Sequence, residues 1–101
     1  MILQKGWMSS QLTKSARGEP CMIRLEGCNA GPNNETVILA HLNGAGLALK
    51  AHDIHGAYSC YSCHDVLDGR KPSSYEKEWL ELIHLRGVIK TQEKMIEKGL
   101  I

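Results

Sequence analysis

The chain has no phenylalanine, and only 5% of its 101 residues are aromatic. A single domain of this length with so few large side chains builds a thin core, which favours a covalent or metal staple. It also lacks any apolar run approaching the ~20 residues that a bilayer crossing requires, so no membrane association is expected. The opening MILQKGWMSSQ has neither a long apolar segment nor a small-residue cleavage site, which points to the reducing cytoplasm. Charge of one sign is missing as well. Twelve Lys and Arg against eleven Asp and Glu leave a net +1. That balance disfavours a binder relying on an overall basic field and leaves room for an enzyme that touches a few phosphates. No repeats or low-complexity segments occur.

Against this background the four cysteines stand out. Cys21 and Cys28 are separated by six residues, and Cys60-x-x-Cys63 forms a second, tighter pair. In a reducing compartment such sets bind metal more often than they form disulfides. Four thiolates brought together would make a tetrahedral structural zinc site. The alternatives are buried thiols, or a CxxC redox pair with two bystanders. Cys60-x-x-Cys63-His64 also fits a c-type haem attachment pattern. The missing export signal, the two extra cysteines and the scarcity of aromatics argue against haem.

Along the chain, residues 1–18 read as a polar N-terminal arm or short helix with the basic stretch TKSARG, followed by one domain over 19–101. CMIRLEGC suggests a short strand or turn carrying Cys21 and Cys28, and NAGPNNE a loop. TVILAHL, residues 36–42, is a buried strand ending near His41. AYS forms a second short strand leading into the CxxC, where a helix starts and runs to about Gly69. A long C-terminal helix is expected over 73–99, with Ser73 and Glu76 as a capping box and Gly99 as its stop. Trp79, Leu82, Ile83, Val88, Ile89 and Ile96 fall on one apolar stripe. That stripe faces the core or, in a homo-oligomer, another copy. Gly87 inside this helix marks a close packing contact or a bend. The fold class is α+β.

Five histidines remain: His41, His52, His55, His64 and His84. His84, within the long helix, reads as a solvated or core residue. His41 ends an apolar strand and precedes LNGAG, either as a core histidine or as a catalytic one. A strand-end histidine, a glycine-containing polar loop and a CxxCH at a helix start recur together in ββα-metal nucleases. Phosphodiester cleavage needs a base near neutral pKa, which imidazole supplies. It also needs a divalent cation to neutralise charge on the phosphate and leaving oxygen.

The segments CMIRLEGCN, TVILAHLNGAGLALKAHD, GAYSCYSCHDVLDGR and RGVIKTQEKMIEKGLI resemble the YbcO ("putative nuclease") family of small prophage-encoded proteins, within the broad HNH superfamily. The resemblance runs from about residue 12 to the C-terminus. It implies a zinc-stabilised ββα-metal (HNH-like) core and a metal-dependent endonuclease hydrolysing DNA. It further implies that Cys21, Cys28, Cys60 and Cys63 hold zinc, that His41 is the general base, and that His64 serves the catalytic metal, Mg²⁺ or another divalent cation. Two positions depart from the wider pattern: Ala40 stands where an acidic residue often precedes the base, and His55 where an Asn commonly precedes the CxxC. Asp53 and His55 are the candidates to replace the missing ligands. Asp65 and Asp68 read as surface residues at the ends of the short helix. Lys14, Arg17, Arg70 and Lys71 are candidate phosphate contacts. The competing reading is a catalytically inactive, zinc-ribbon-like module that binds nucleic acid or protein.

Overall fold

The computed structural model describes residues 11–28, 35–42 and 52–101. The loop NAGPNN and residues 43–51, including most of the Gly-containing connection after His41, lie outside the described residues. Two strands, β1 (Ile38–His41) and β2 (Gly56–Ser59), pair antiparallel with Leu39 opposite Tyr58 and His41 opposite Gly56. A 3-10 turn at Asp53–His55 feeds β2, and two helices follow: α1 (Tyr61–Leu67) and α2 (Lys77–Glu97). The observed class is a small α+β fold with a two-stranded sheet and a long C-terminal helix. CMIRLEGC takes the turn alternative and forms no strand.

Both helices stop for the same local reason. Gly69 and Gly99 adopt φ of 78° and 75°, the left-handed region that costs an L side chain about 1–2 kcal/mol. At α1, Gly69 N–H reaches Val66 O and Arg70 N–H reaches Asp65 O. At α2, Gly99 N–H reaches Ile96 O and Leu100 N–H reaches Met95 O. Each pattern is a Schellman motif, which satisfies two carbonyls that a helix end leaves open. The start of α2 differs from the expected capping box. Its N-cap is Glu76 and carries no side-chain capping bond. Ser73 Oγ instead accepts from Tyr75 N at 2.9 Å, which closes a turn ahead of the helix, so α2 begins four residues later than expected.

The buried face of α2 also differs from the expected stripe. Its buried residues are His84, Gly87, Val88, Thr91 and Met95, whereas Trp79, Leu82, Ile89 and Ile96 are exposed. At Gly87 the helix lies too close to β2 for a side chain. A Cβ at Gly87 would stand 2.6 Å from Ile23 Cδ1 and 3.3 Å from Ala57 Cβ. Polar side chains on this face satisfy strand backbone. Thr91 Oγ1 accepts from Tyr58 N at 2.9 Å, and His84 Nε2 lies 2.8 Å from Ala40 O. On the same edge Met22 N–H donates to Tyr58 O at 2.8 Å, so both outward backbone groups of Tyr58 are paired.

Two clusters make the core. Cys21, Ile23, Leu25, Ala57, Cys60, Cys63, Val66 and Val88 surround the cysteines. Leu12, Ala16, Val37, Leu39, Tyr58 and Met95 form the second, so residues from the expected N-terminal arm are part of the core. Residues 11–14 are helical. The segment behind them is fastened at its polar side: Ser15 Oγ meets Tyr58 Oη at 2.7 Å, and Lys98 Nζ reaches Ser15 O at 3.0 Å and Glu19 Oε2 at 2.5 Å. Among the described residues no helix is long and apolar enough to cross a membrane.

Candidate functional site

The four cysteines converge. The sulfurs of Cys21, Cys28, Cys60 and Cys63 all lie within 4.8 Å of one another, and three of the four residues are buried. Cys60 caps α1, and its sulfur accepts from Cys63 N at 3.4 Å. Leu25 N–H points at Cys63 Sγ at 3.3 Å, and Arg24 N–H at Cys21 Sγ at 3.5 Å. Arg24 adopts φ of 57° in this turn, and its Nε donates to Cys21 O at 2.9 Å. Cys60 and Cys28 sulfurs are 3.6 Å apart. An ion with four sulfurs at ~2.3 Å in a tetrahedron sets them about 3.8 Å apart, so the cluster has the size and donor type for such an ion. Protonation follows the same logic. A hydrogen bond from the Cys63 thiol, aided by backbone N–H groups, brings the Cys21 thiol down to about 4 against the opposing effect of burial. Its role as donor, with burial, pushes Cys63 up. A bound cation would favour the deprotonated form of such close sulfurs, and the set could hold a metal ion.

His41, at the end of β1, meets Asp53 from the turn before β2. His41 Nε2 and Asp53 Oδ1 are 2.5 Å apart, with the side chains 36% and 14% exposed. The carboxylate only accepts, so Nε2 carries the hydrogen and the lone pair of a neutral ring sits on Nδ1. Asp53 is held in turn: its Oδ2 accepts from Thr13 Oγ1 at 3.0 Å. Gln92 Nε2 donates to Ile54 O at 2.6 Å, which ties the turn carrying Asp53 to α2. Thr13 and Gln92 had no sequence signal. They lie 40 and 38 residues from their partners, and no local pattern encodes such contacts.

His64 is on α1, one residue beyond the cysteine pair, and its Nε2 is 3.3 Å from Asp68 Oδ2 one turn on. Asp68 thus pairs with His64 as well as with Arg70, at 3.7 Å. His84 is buried between the two histidine positions: desolvation lowers its pKa, His64 and His41 act in the same direction, and the Ala40 carbonyl and Asp68 oppose them. His55 is exposed and lies beside His52 with ring centroids 6.1 Å apart. Among the described residues the cysteines are the one group of three or more close metal-binding side chains. Asp53, His55 and His64 are therefore not brought together as a ready-made ligand set.

Of the basic candidates, Lys14 is exposed and adjoins Thr13. Arg17 is 73% exposed, with Glu35 at 3.8 Å. Arg70 lies in the turn after α1, where Lys71 Nζ donates to Ser62 Oγ at 2.8 Å.

Comparison with known proteins agrees with this architecture. Residues 10–100 match the family described as "Putative nuclease YbcO". A protein of that name from Escherichia coli strain K12 is 35% identical over 99 residues, covering 91% of this chain and 97% of its own. A namesake from Enterobacteria phage 82 shows the same identity and coverage. A solved structure, titled as a putative bacteriophage protein from Escherichia coli K-12 MG1655, superposes with a TM-score of 0.70 at 31% identity. That match covers 87% of this chain and 99% of that one. The chain belongs to the YbcO family of proteins named as putative nucleases.

Proposed function

We propose that this protein is a metal-dependent endonuclease of the HNH type that hydrolyses phosphodiester bonds in DNA, with a structural zinc on Cys21, Cys28, Cys60 and Cys63. The observation that carries the catalytic reading is the pairing of His41 Nε2 with Asp53 Oδ1. A base must present a lone pair in a fixed direction, and a carboxylate behind an imidazole fixes both tautomer and ring orientation. His41 Nδ1 then takes the proton of the attacking water, and Asp53 stabilises the imidazolium that forms. Thr13, bonded to the other carboxylate oxygen, keeps Asp53 aligned. In this arrangement Asp53 is a positioning residue for the base, and the cation falls to the His64 side.

His64 and Asp68 supply one nitrogen and one carboxylate on a single helical turn. Two protein ligands suit a cation such as Mg²⁺, which commonly retains waters and takes substrate phosphate oxygens to complete its shell. The cation would neutralise charge on the scissile phosphate and the leaving oxygen. Lys14 and Arg17 are carried on the segment that meets Asp53, and Arg70 and Lys71 follow the helix bearing His64. These two basic pairs suit contacts to the phosphates on either side of the cleaved bond. Zinc is the metal of choice for the cysteines because four thiolates in a closed tetrahedral set are a structural zinc donor set.

Nicking of supercoiled plasmid in the presence of MgCl₂ or MnCl₂ tests the proposal. His41→Ala should lower the rate by ~10²–10⁴, the usual contribution of a positioned general base. Asp53→Asn should retain binding and lower kcat. Equal cleavage by wild type and His41→Ala would remove His41 as the base. A second reading, a zinc-ribbon-like binding module without chemistry, draws on the lack of a second three-ligand group among the described residues. Metal analysis separates the two: one tight zinc, no further divalent site with DNA present, and no nicking would favour the module.

A further inference from the structure

We propose that the outer face of α2 is a homodimer interface, formed by two antiparallel copies of the helix about a two-fold axis beside Ile89. This inference does not depend on the nuclease reading. Leu82, Leu85, Ile89 and Ile96 are 43%, 47%, 54% and 60% exposed. Their spacing of three, four and seven residues puts them in one row, opposite the face that buries His84, Gly87, Thr91 and Met95. The helix therefore has two apolar or close-packed faces, and one sheet covers only one of them. From Leu82 to Ile96 the outer row spans about 21 Å. An exposed row of this length on a small domain marks an interaction surface.

The row is complementary to itself, which selects a second copy as its occupant. Leu82 precedes Ile89 by seven residues and Ile96 follows it by seven. A two-fold axis beside Ile89 sets Leu82 against Ile96 of the second copy, and Ile89 against its own counterpart. On one flank of the row, Arg86 and Glu93 are exposed, and neither makes an ion pair among the described residues. The same axis brings Arg86 of each copy alongside Glu93 of the other, twice per dimer. Glu93 also borders an open groove of about 460 Å³ lined by Met22, Ile89, Lys90, Glu93, Lys94 and Glu97. Antiparallel alignment further sets the helix dipoles in their favourable sense.

Sedimentation equilibrium of the full, metal-loaded chain from ~1 to ~200 µM reads the outcome, with the upper range set by the mM-to-µM affinities of modest interfaces. Wild type should reach a dimer within that range. Ile89→Glu and Leu82→Lys should each weaken it at least about 30-fold, the loss expected from a central apolar contact. Circular dichroism and metal content should stay at wild-type values, because both positions are exposed. Arg86→Glu alone and Glu93→Arg alone should each weaken the dimer about 5-fold or more, and the double exchange should restore it. A wild-type protein that is monomeric throughout overturns the proposal, as does a dimer indifferent to Ile89→Glu. Restoration of Arg86→Glu by Glu81→Arg in place of Glu93→Arg overturns the antiparallel register.

Discussion

At the residue scale, three histidines of one sequence acquire three chemistries from what faces them. His41 has a carboxylate behind it and an exposed edge. His64 has Asp68 one turn away. His84 is 6% exposed and its Nε2 faces a carbonyl, so that nitrogen carries a hydrogen. Burial, reinforced by the nearby His64 and His41, lowers its pKa below the ordinary 6.5, while Ala40 O and Asp68 act the other way. As pH falls below about 6.5 the unfolded chain takes up this proton before the folded one does. Stability is therefore full above pH 6.5 and declines as pH drops through the lowered value. His84→Gln keeps an N–H donor for Ala40 and removes the titration. Urea midpoints between pH 7.5 and 5.5 should fall less steeply for the variant than for wild type. Parallel curves would refute the assignment, since acid loss of metal from the thiolates is common to both proteins.

At the scale of elements, α2 approaches β2 closely at Gly87, with hydrogen-bonding residues on either side of it. Gly87 lets the helix rest on Ala57 and Ile23, Thr91 takes the Tyr58 amide, and His84 takes the Ala40 carbonyl. A glycine in a helix interior costs about 1 kcal/mol relative to alanine, so its presence here is explained by contact and not by propensity. Gly87→Val would force Ile23 aside and press on the Met22 carbonyl, 3.3 Å from the added Cβ. The expected loss is about 1–3 kcal/mol, as for overpacked cores, read as a lower urea midpoint with an unchanged slope. A midpoint equal to or above wild type would show that the helix is not seated on Ala57. The apolar periodicity of α2 was legible, but which of its faces turned inward was not. Of the expected stripe, Val88 is buried and Ile83 packs against the core, while Trp79, Leu82, Ile89 and Ile96 are exposed.

For the whole molecule, the cysteine cluster joins the segment of Cys21 and Cys28 to the start of α1. Cys21 and Cys28 come from turns with no ladder bonds, and Cys60 and Cys63 from the start of α1. Ile23, Leu25 and Val66 pack around them, so the cysteine cluster is the centre of one of the two core groups. Structural zinc contributes on the order of 10–16 kcal/mol of apparent free energy, comparable to or above the ~5–15 kcal/mol stability of a typical domain. Removal of the ion by a strong chelator should therefore unfold the chain at 25 °C, seen as loss of the far-UV helical signal and recovered on adding Zn²⁺. A melting temperature unchanged after metal analysis shows the zinc gone would refute this role.

The two cysteine pairs, the β-branched run before His41 and the glycines after each helix were legible as candidate ligands, as a strand and as helix ends, because each depends on chemistry within a few residues. Only the tertiary structure decided that Asp53 backs His41, that Thr13 holds Asp53, and that residues of the N-terminal segment enter the core. It also decided that α2 buries His84, Gly87, Val88, Thr91 and Met95 and leaves Trp79, Leu82, Ile89 and Ile96 exposed. Those outcomes depend on distances between segments far apart in the chain. A hydrogen bond across 40 residues, or a gap too narrow for a Cβ, leaves no mark on local periodicity.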